Sequence, residues 1–219
     1  MEVETLTVGA FGSNCFLMAN KAGDALVIDP GDEADRIIDA LRTRQWRVAA
    51  YLITHGHVDH VSALAAVHRA FPAPVAMHPV DAAWAFSERN AMPPLYDVPE
   101  APPQIDRSIA EGQTWEDIGL RYHVLEVPGH SPGHVAFHFP DQALLFSGDV
   151  IFQGTVGRTD LPGGDSRVLT QSLRRLVTLP DDTRIFCGHG PDTVLAEEKR
   201  INPFMKYFAN PQAPGSGLP

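Results

Sequence analysis

The string Thr54-His55-Gly56-His57-Val58-Asp59-His60 constrains this chain more than any other part of it. It follows a β-rich run, residues 48–54, and precedes an apolar-periodic stretch, residues 61–71, so it lies where a strand hands over to a helix. In an extended turn His55 and His57 point to the same side, while Asp59 and His60 fall at a helix start, where backbone N–H groups favour a carboxylate. Four donors then converge on two adjacent points. Any one of these histidines alone reads as an ordinary hydrogen-bonded residue; the four together read as a metal site.

Three more donors follow, each just after a β-rich run: His130 in Pro128-Gly129-His130, Asp149 in Ser147-Gly148-Asp149, and His189 in Gly188-His189-Gly190. The neighbouring glycines let the backbone turn sharply beside an ion. Imidazole and carboxylate without thiolate suit zinc, iron or manganese. Seven ligands are too many for one tetrahedral ion but fit two divalent ions that share a carboxylate, most simply zinc. His68, His78, His123, His134 and His138 lack such contexts and are expected to be structural, with a role beside the metal as the alternative for His134. Cys187 is expected to be a small buried apolar group and not a ligand.

The rest of the chain frames these donors with short strands and amphipathic helices. Strands are expected at residues 2–8, 15–19, 26–29, 48–54, 75–78, 122–127, 135–139, 143–147 and 184–187, and helices at 34–44, 61–71, 80–87 and 166–179, the last capped by Asp165. Alternating strands and helices in both halves predict an α/β fold of sheets between helical layers. Residues 1–209 are expected to form one domain, with a flexible tail at 210–219 rich in Pro, Gly and Ser. Pro93, Pro94, Pro99, Pro102 and Pro103 mark residues 90–104 as an irregular loop, either a lid over the metal cleft or a surface excursion packed by its own apolar side chains.

The chain has 17 Lys and Arg against 27 Asp and Glu, a net charge of −10, which repels polyanions and argues against nucleic acid as a partner. No apolar run approaches the roughly 18 to 20 residues of a membrane span, and the first residues lack the features of a signal peptide. Two distant cysteines, Cys15 and Cys187, fit neither a disulfide framework nor a thiolate zinc site, so a cytoplasmic location is expected.

The ordered set His-x-His-x-Asp-His, Gly129-His130, Gly148-Asp149 and Gly188-His189 resembles the metallo-β-lactamase-fold hydrolases along nearly the whole chain. The resemblance implies an αββα sandwich. It also implies that His55, His57 and His130 hold one metal, that Asp59, His60 and His189 hold a second, and that Asp149 bridges them. The string Gly157-Arg158-Thr159-Asp160-Leu161-Pro162-Gly163-Gly164-Asp165, with Asn202-Pro203-Phe204, looks like the short glyoxalase II-like (hydroxyacylglutathione hydrolase-like) members. Full-length glyoxalase II proteins continue past such a segment into a helical domain with basic contacts to glutathione. Here Lys206 alone is near, so the hydrolytic site is expected to carry over and those contacts are not.

The implied reaction is hydrolysis of a small thioester, for instance S-lactoylglutathione, by a metal-bridging hydroxide. Metal lowers the pKa of water from 15.7 towards about 7, and a thiolate of pKa about 8.5 leaves without a strong acid. Asp59 and Asp149 are the expected catalytic carboxylates. Arg158 is the expected partner of a substrate carboxylate, unless a salt bridge to Asp160 or Asp165 occupies it. Three alternatives remain open: a persulfide dioxygenase with one iron on His55, His130 and Asp149; a lactonase or phosphodiesterase on the same dinuclear site; and a non-enzymatic metal-binding module.

Overall fold

The computed structural model describes residues 1–206, so the tail expected at 210–219 lies outside the described residues. Two six-stranded sheets make the body. The first runs β1 (Glu2–Val8), β2 (Ser13–Ala19), β3 (Asp24–Ile28), β4 (Arg47–Leu52), β5 (Val75–Met77) and β6 (Arg107–Ser108) in sequence order. The second is built from β7 (Thr114–Asp117), β8 (Leu120–Glu126), β9 (Val135–Phe139), β10 (Leu144–Gly148), β13 (Arg184–Cys187) and β14 (Thr193–Val194), in the order β14-β13-β10-β9-β8-β7. A small ribbon, β11 (Ile151–Phe152) with β12 (Thr155–Val156), follows β10. Among the described residues there are six α-helices: α1 (Ala34–Thr43), α2 (Val58–Val61), α3 (Leu64–Ala70), α4 (Pro79–Ala85), α5 (Ser166–Leu176) and α6 (Leu195–Ile201).

The period of two along the strands explains the layering. In β2, Phe16 and Met18 enter the core between the sheets, while Cys15 and Leu17 face outward into a core shared with Ile37 and Leu41 of α1. In β9 and β10, Val135, Phe137, Phe139, Leu144 and Phe146 point to the same inter-sheet core, and Ala136 and Leu145 face Leu169, Leu173 and Leu176 of α5. Strands apolar on both faces must be covered on both faces, and the αββα sandwich follows. No described helix is long and apolar enough to cross a membrane.

Parallel pairing places the functional loops. Strands β3, β4 and β5 run parallel, as do β10 and β13, each pair joined through a helical crossover. Their carboxyl ends therefore open at one end of the sandwich, where Asp29, His55 to His60, Asp149 and His189 lie. The two sheets meet at this end. The Asn14 amide donates to the Gly188 carbonyl (2.7 Å), and its side chain donates to the Cys187 and Gly190 carbonyls (2.9 and 2.8 Å).

One expected helix is broken. The helix expected at residues 61–71 is interrupted after Val61, where α2 ends, and resumes as α3 at Leu64, because the Asp59 carbonyl accepts from Ser13 Oγ (2.6 Å) and the Ala63 amide turns to the Pro30 carbonyl (3.1 Å). A tertiary contact has replaced a helical one. The sequence reading also passed over β6, β7, β14, the β11–β12 ribbon and α6. Asp165 caps α5 as expected, accepting from the Arg167 and Val168 amides.

Candidate metal centre

All seven expected donors come together in one cluster. His55, His57 and His130 present nitrogens within 4.8 Å of one another, and Asp59, His60 and His189 do the same beside them. Asp149 lies between the two sets. One carboxylate oxygen is 3.4 Å from His60 Nε2; the other is 3.4 Å from His130 Nε2 and 3.5 Å from His189 Nε2. Asp59 Oδ2 is 3.2 Å from His189 Nε2.

The tautomers follow from what the far ring nitrogens do. His130 Nδ1 donates to the Arg158 carbonyl (2.8 Å), and His189 Nδ1 donates to the Phe11 carbonyl (3.1 Å). His60 Nδ1 donates to Asp29 Oδ2 (3.1 Å), which also accepts from Thr54 Oγ1 (2.6 Å); that hydroxyl in turn accepts from His55 Nδ1 (3.0 Å). Each of these four rings, when neutral, presents a bare Nε2 to the cluster. His57 presents Nδ1, 2.8 Å from His130 Nε2. Lone pairs face each other across these gaps.

The electrostatics divide the cluster. Burial holds His55 well below its ordinary pKa and brings His57 down to about 3, with neighbouring imidazoles adding to the effect, so these rings stay neutral and ligand-ready. Burial opposes charge on His60 and His189 as well, but Asp149 and Asp59 outweigh it and raise them to about 9 and about 10. Burial also pushes the two carboxylates upward, and the surrounding histidines overcome it and leave both lowered.

The residues fit two cations. His55 Nε2 and Asp149 Oδ1 are buried without a hydrogen-bond partner, an arrangement that costs free energy unless a cation completes it. The carboxylates demand positive charge, which protons on His60 and His189 supply when no metal does. The donor set of imidazole and carboxylate suits borderline or hard divalent metals.

Close backbone approach makes the cluster possible. A Cβ at Gly188 would stand 2.1 Å from Asp149 Oδ1, and one at Gly31 would stand 1.8 Å from the Asp59 carbonyl oxygen. Side chains at either place would displace a donor.

Two supporting carboxylates escaped the sequence reading. Asp29 ends β3 with a left-handed backbone (φ 49) and is 1% exposed; its signal was the Asp29-Pro30-Gly31 turn after a β run. Asp81, inside α4 and fully buried, accepts from the Gly56 amide (2.9 Å), Ser131 Oγ (2.5 Å) and the Gly133 amide (2.7 Å). It ties the His55-Gly56-His57 loop to the His130 loop, and nothing local in the sequence marks it. His134 takes the alternative place beside the cluster: its Nε2 accepts from the Asp149 amide (3.0 Å), and its ring stacks on His55 with centroids 4.6 Å apart. Cys187 is buried beside the cluster, with burial raising its thiol to about 12.

The cluster floors a cleft of about 410 Å³. Its walls include Phe11, Asn90, Met92, Phe152, Thr155, Val156, Arg158 and Leu161. Arg158 lies at this cleft, and the salt bridge that was the alternative expectation for it is present: its guanidinium donates to Asp160 through two bonds (2.6 and 2.8 Å) that lower the Asp160 carboxyl to about 2. The Pro-rich segment contributes Asn90 and Met92. It is anchored by Asn90 Nδ2, which donates to the Gly56 carbonyl (2.7 Å), and by the Tyr96 hydroxyl, which accepts from the Ala10 amide (3.0 Å).

Comparison with known proteins agrees with this fold and cluster. Residues 8–189 match the metallo-beta-lactamase superfamily, and the chain belongs to it. It is a metallo-hydrolase in class. It is 36% identical to the hydroxyacylglutathione hydrolase GloC of Haemophilus influenzae, over 94% of this chain and 98% of that protein. Among solved structures, TTHA1623 in a di-iron-bound form is 41% identical with a TM-score of 0.81, covering 92% of this chain and 99% of that one. The BLEG-1 B3 metallo-beta-lactamase is 33% identical with a TM-score of 0.87, covering 93% and 99%.

Proposed function

We propose that the protein hydrolyses small thioesters with two divalent metal ions. His55, His57 and His130 would hold one ion, Asp59, His60 and His189 the other, and Asp149 would stand between them. Zinc is the simplest choice for this donor set, with iron and manganese as the other candidates. Bound there, the ions supply Lewis acidity, making water a nucleophile at neutral pH and polarising a carbonyl.

One observation carries the choice of a thioester. Of the described residues lining the cleft, none outside the donor cluster is a side-chain acid able to protonate a leaving group, since Arg158 keeps its proton and Asn90 and Thr155 do not titrate. An amine or alkoxide needs such an acid; a thiolate of pKa about 8.5 does not. In the reaction a water oxygen forms the new C–O bond and loses its protons to solvent, the C–S bond breaks, and sulfur leaves with the electron pair as a thiolate. Asp59 and Asp149 face the reacting centre and balance its charge, while Asp29 and Asp81 hold the imidazoles in register. Arg158 is the one Lys or Arg lining the cleft among the described residues, and Asp160 is its partner. The likeness to GloC supports the same reading, with S-lactoylglutathione as a natural member of the test panel.

Trapping the released thiol during incubation with glutathione and non-glutathione thioesters tests the proposal. Release should require metal and stop with chelator. A metal-loaded protein that releases no thiol from any member would overturn it.

A further inference from the structure

The cleft that leads to the metal cluster is walled by Phe11, Val58, Met92, Phe152, Val156 and Leu161. Phe11, whose ring lies 5.3 Å from that of Tyr96, and Met92 remain 40% and 43% exposed at the mouth. Among the described residues the only Lys or Arg lining the cleft is Arg158, and Asp160 already takes the Nε–Nη2 edge of its guanidinium. The Arg158–Asp160 wall is therefore neutral in sum, within a protein of net charge −10. A glutathione moiety brings two carboxylates, and the one Lys or Arg they would meet among the described residues has its charge already balanced by Asp160.

Resting on the thioesterase reading above, we infer that the cleft selects thioesters whose acyl chain and thiol are both uncharged and apolar, and that Asp160 sets this preference by occupying Arg158. The acyl chain gains by covering Phe11, Met92 and Phe152; the thiol portion gains by carrying no carboxylate. Asp160 touches neither the donors nor the substrate, so it acts as a positioning residue through Arg158.

The test compares hexanoyl and lactoyl thioesters of glutathione with the same acyl groups on N-acetylcysteamine, a neutral thiol, using the metal-loaded protein. The neutral thiol should be preferred by about tenfold in kcat/KM, the cost of leaving a carboxylate unpaired. Each added acyl methylene should raise kcat/KM by up to about fourfold, and Met92→Ser should flatten that series. Asp160→Asn releases Arg158 and should narrow the preference by about three- to tenfold, acting on KM for the glutathione esters and leaving kcat nearly fixed.

A second readout is independent of turnover: calorimetric binding of the uncleavable thioethers S-hexylglutathione and S-hexyl-N-acetylcysteamine. The same rank order and the same response to Asp160→Asn are expected. If no thioester is cleaved while the thioethers keep that order, the thioesterase reading fails and the assignment of the cleft stands. A preference for the glutathione compounds, equal treatment of both thiols, no binding of either thioether, or a ratio that Asp160→Asn leaves unchanged overturns the inference.

Discussion

Asp29 and Asp81 govern how the imidazoles of the cluster are presented, although neither belongs to the donor set. Asp29 fixes His60 directly and His55 through the Thr54 hydroxyl, so one carboxylate sets two tautomers. Asp81 receives three buried donors from two loops. Replacing it with Ala leaves all three unsatisfied, which costs about 3 kcal/mol or more. Asp81→Ala is expected to weaken one of two bound ions by about 10- to 100-fold, the one on His55, His57 and His130. Stepwise metal titration by calorimetry checks this, and two ions bound as in the parent protein would contradict it. Asp59→Ala or His189→Ala should act on the other ion, lowering bound metal from about two to about one per chain. Elemental analysis decides it; about one iron in the parent chain, unchanged by Asp59→Ala, would favour a mononuclear site. The donors were legible because seven chemistry-bearing residues stand in distinctive local strings. Asp29 and Asp81 were not, because a supporting carboxylate is defined by what reaches it across the fold, and Asp81 is bonded by residues 25, 50 and 52 positions away.

Elements with a strong apolar period announced themselves, and those without one did not. Strands β1, β9 and β13 coincide with the expected runs, residues 2–8, 135–139 and 184–187. Strand β7 alternates exposed and half-buried residues at the sheet edge, and α6 buries only Leu195 and Glu198, so neither carries a strong apolar period. The break between α2 and α3 depends on Ser13 Oγ, which is 46 positions from the carbonyl it engages and invisible to a helical wheel. The Pro-rich segment was correctly read as irregular, but composition says nothing about anchoring. Tyr96 is 5% exposed, and its ring lies 5.3 Å from that of Phe11. Exchanging residues 92–103 for a Gly/Ser linker therefore removes a buried aromatic along with Met92. The melting temperature should fall by about 4–10 °C, from the loss of a buried ring and its hydrogen bond, and KM should rise for apolar substrates. Differential scanning calorimetry with steady-state kinetics measures both. An unchanged melting transition would show that Tyr96 is not an anchor.

At the scale of the molecule, the cluster is where the two halves of the sandwich are joined. His55, His57, Asp59 and His60 follow a strand of the first sheet, whereas His130, Asp149 and His189 are carried by loops of the second. Each ion would therefore take ligands from both: His130 completes the set begun by His55 and His57, and His189 the set begun by Asp59 and His60. The inter-sheet core holds the same halves together from within, through Phe16, Phe146 and Phe186 at centroid separations of 4.9 to 5.4 Å. Removing metal leaves that core intact but restores unpartnered buried donors at the open end. Metal that binds only the folded chain stabilises it by about 4 kcal/mol when present at a thousand times its dissociation constant. Chelation should accordingly lower the melting temperature by about 8–16 °C without abolishing cooperative unfolding. Adding back zinc should restore the transition in Asp81→Ala less completely than in the parent chain, because only there is one donor set loosened. Scanning calorimetry of the parent with chelator and after reloading is the measurement. Identical melting curves with and without metal would mean that the cluster does not bridge the sheets energetically, whatever its geometry.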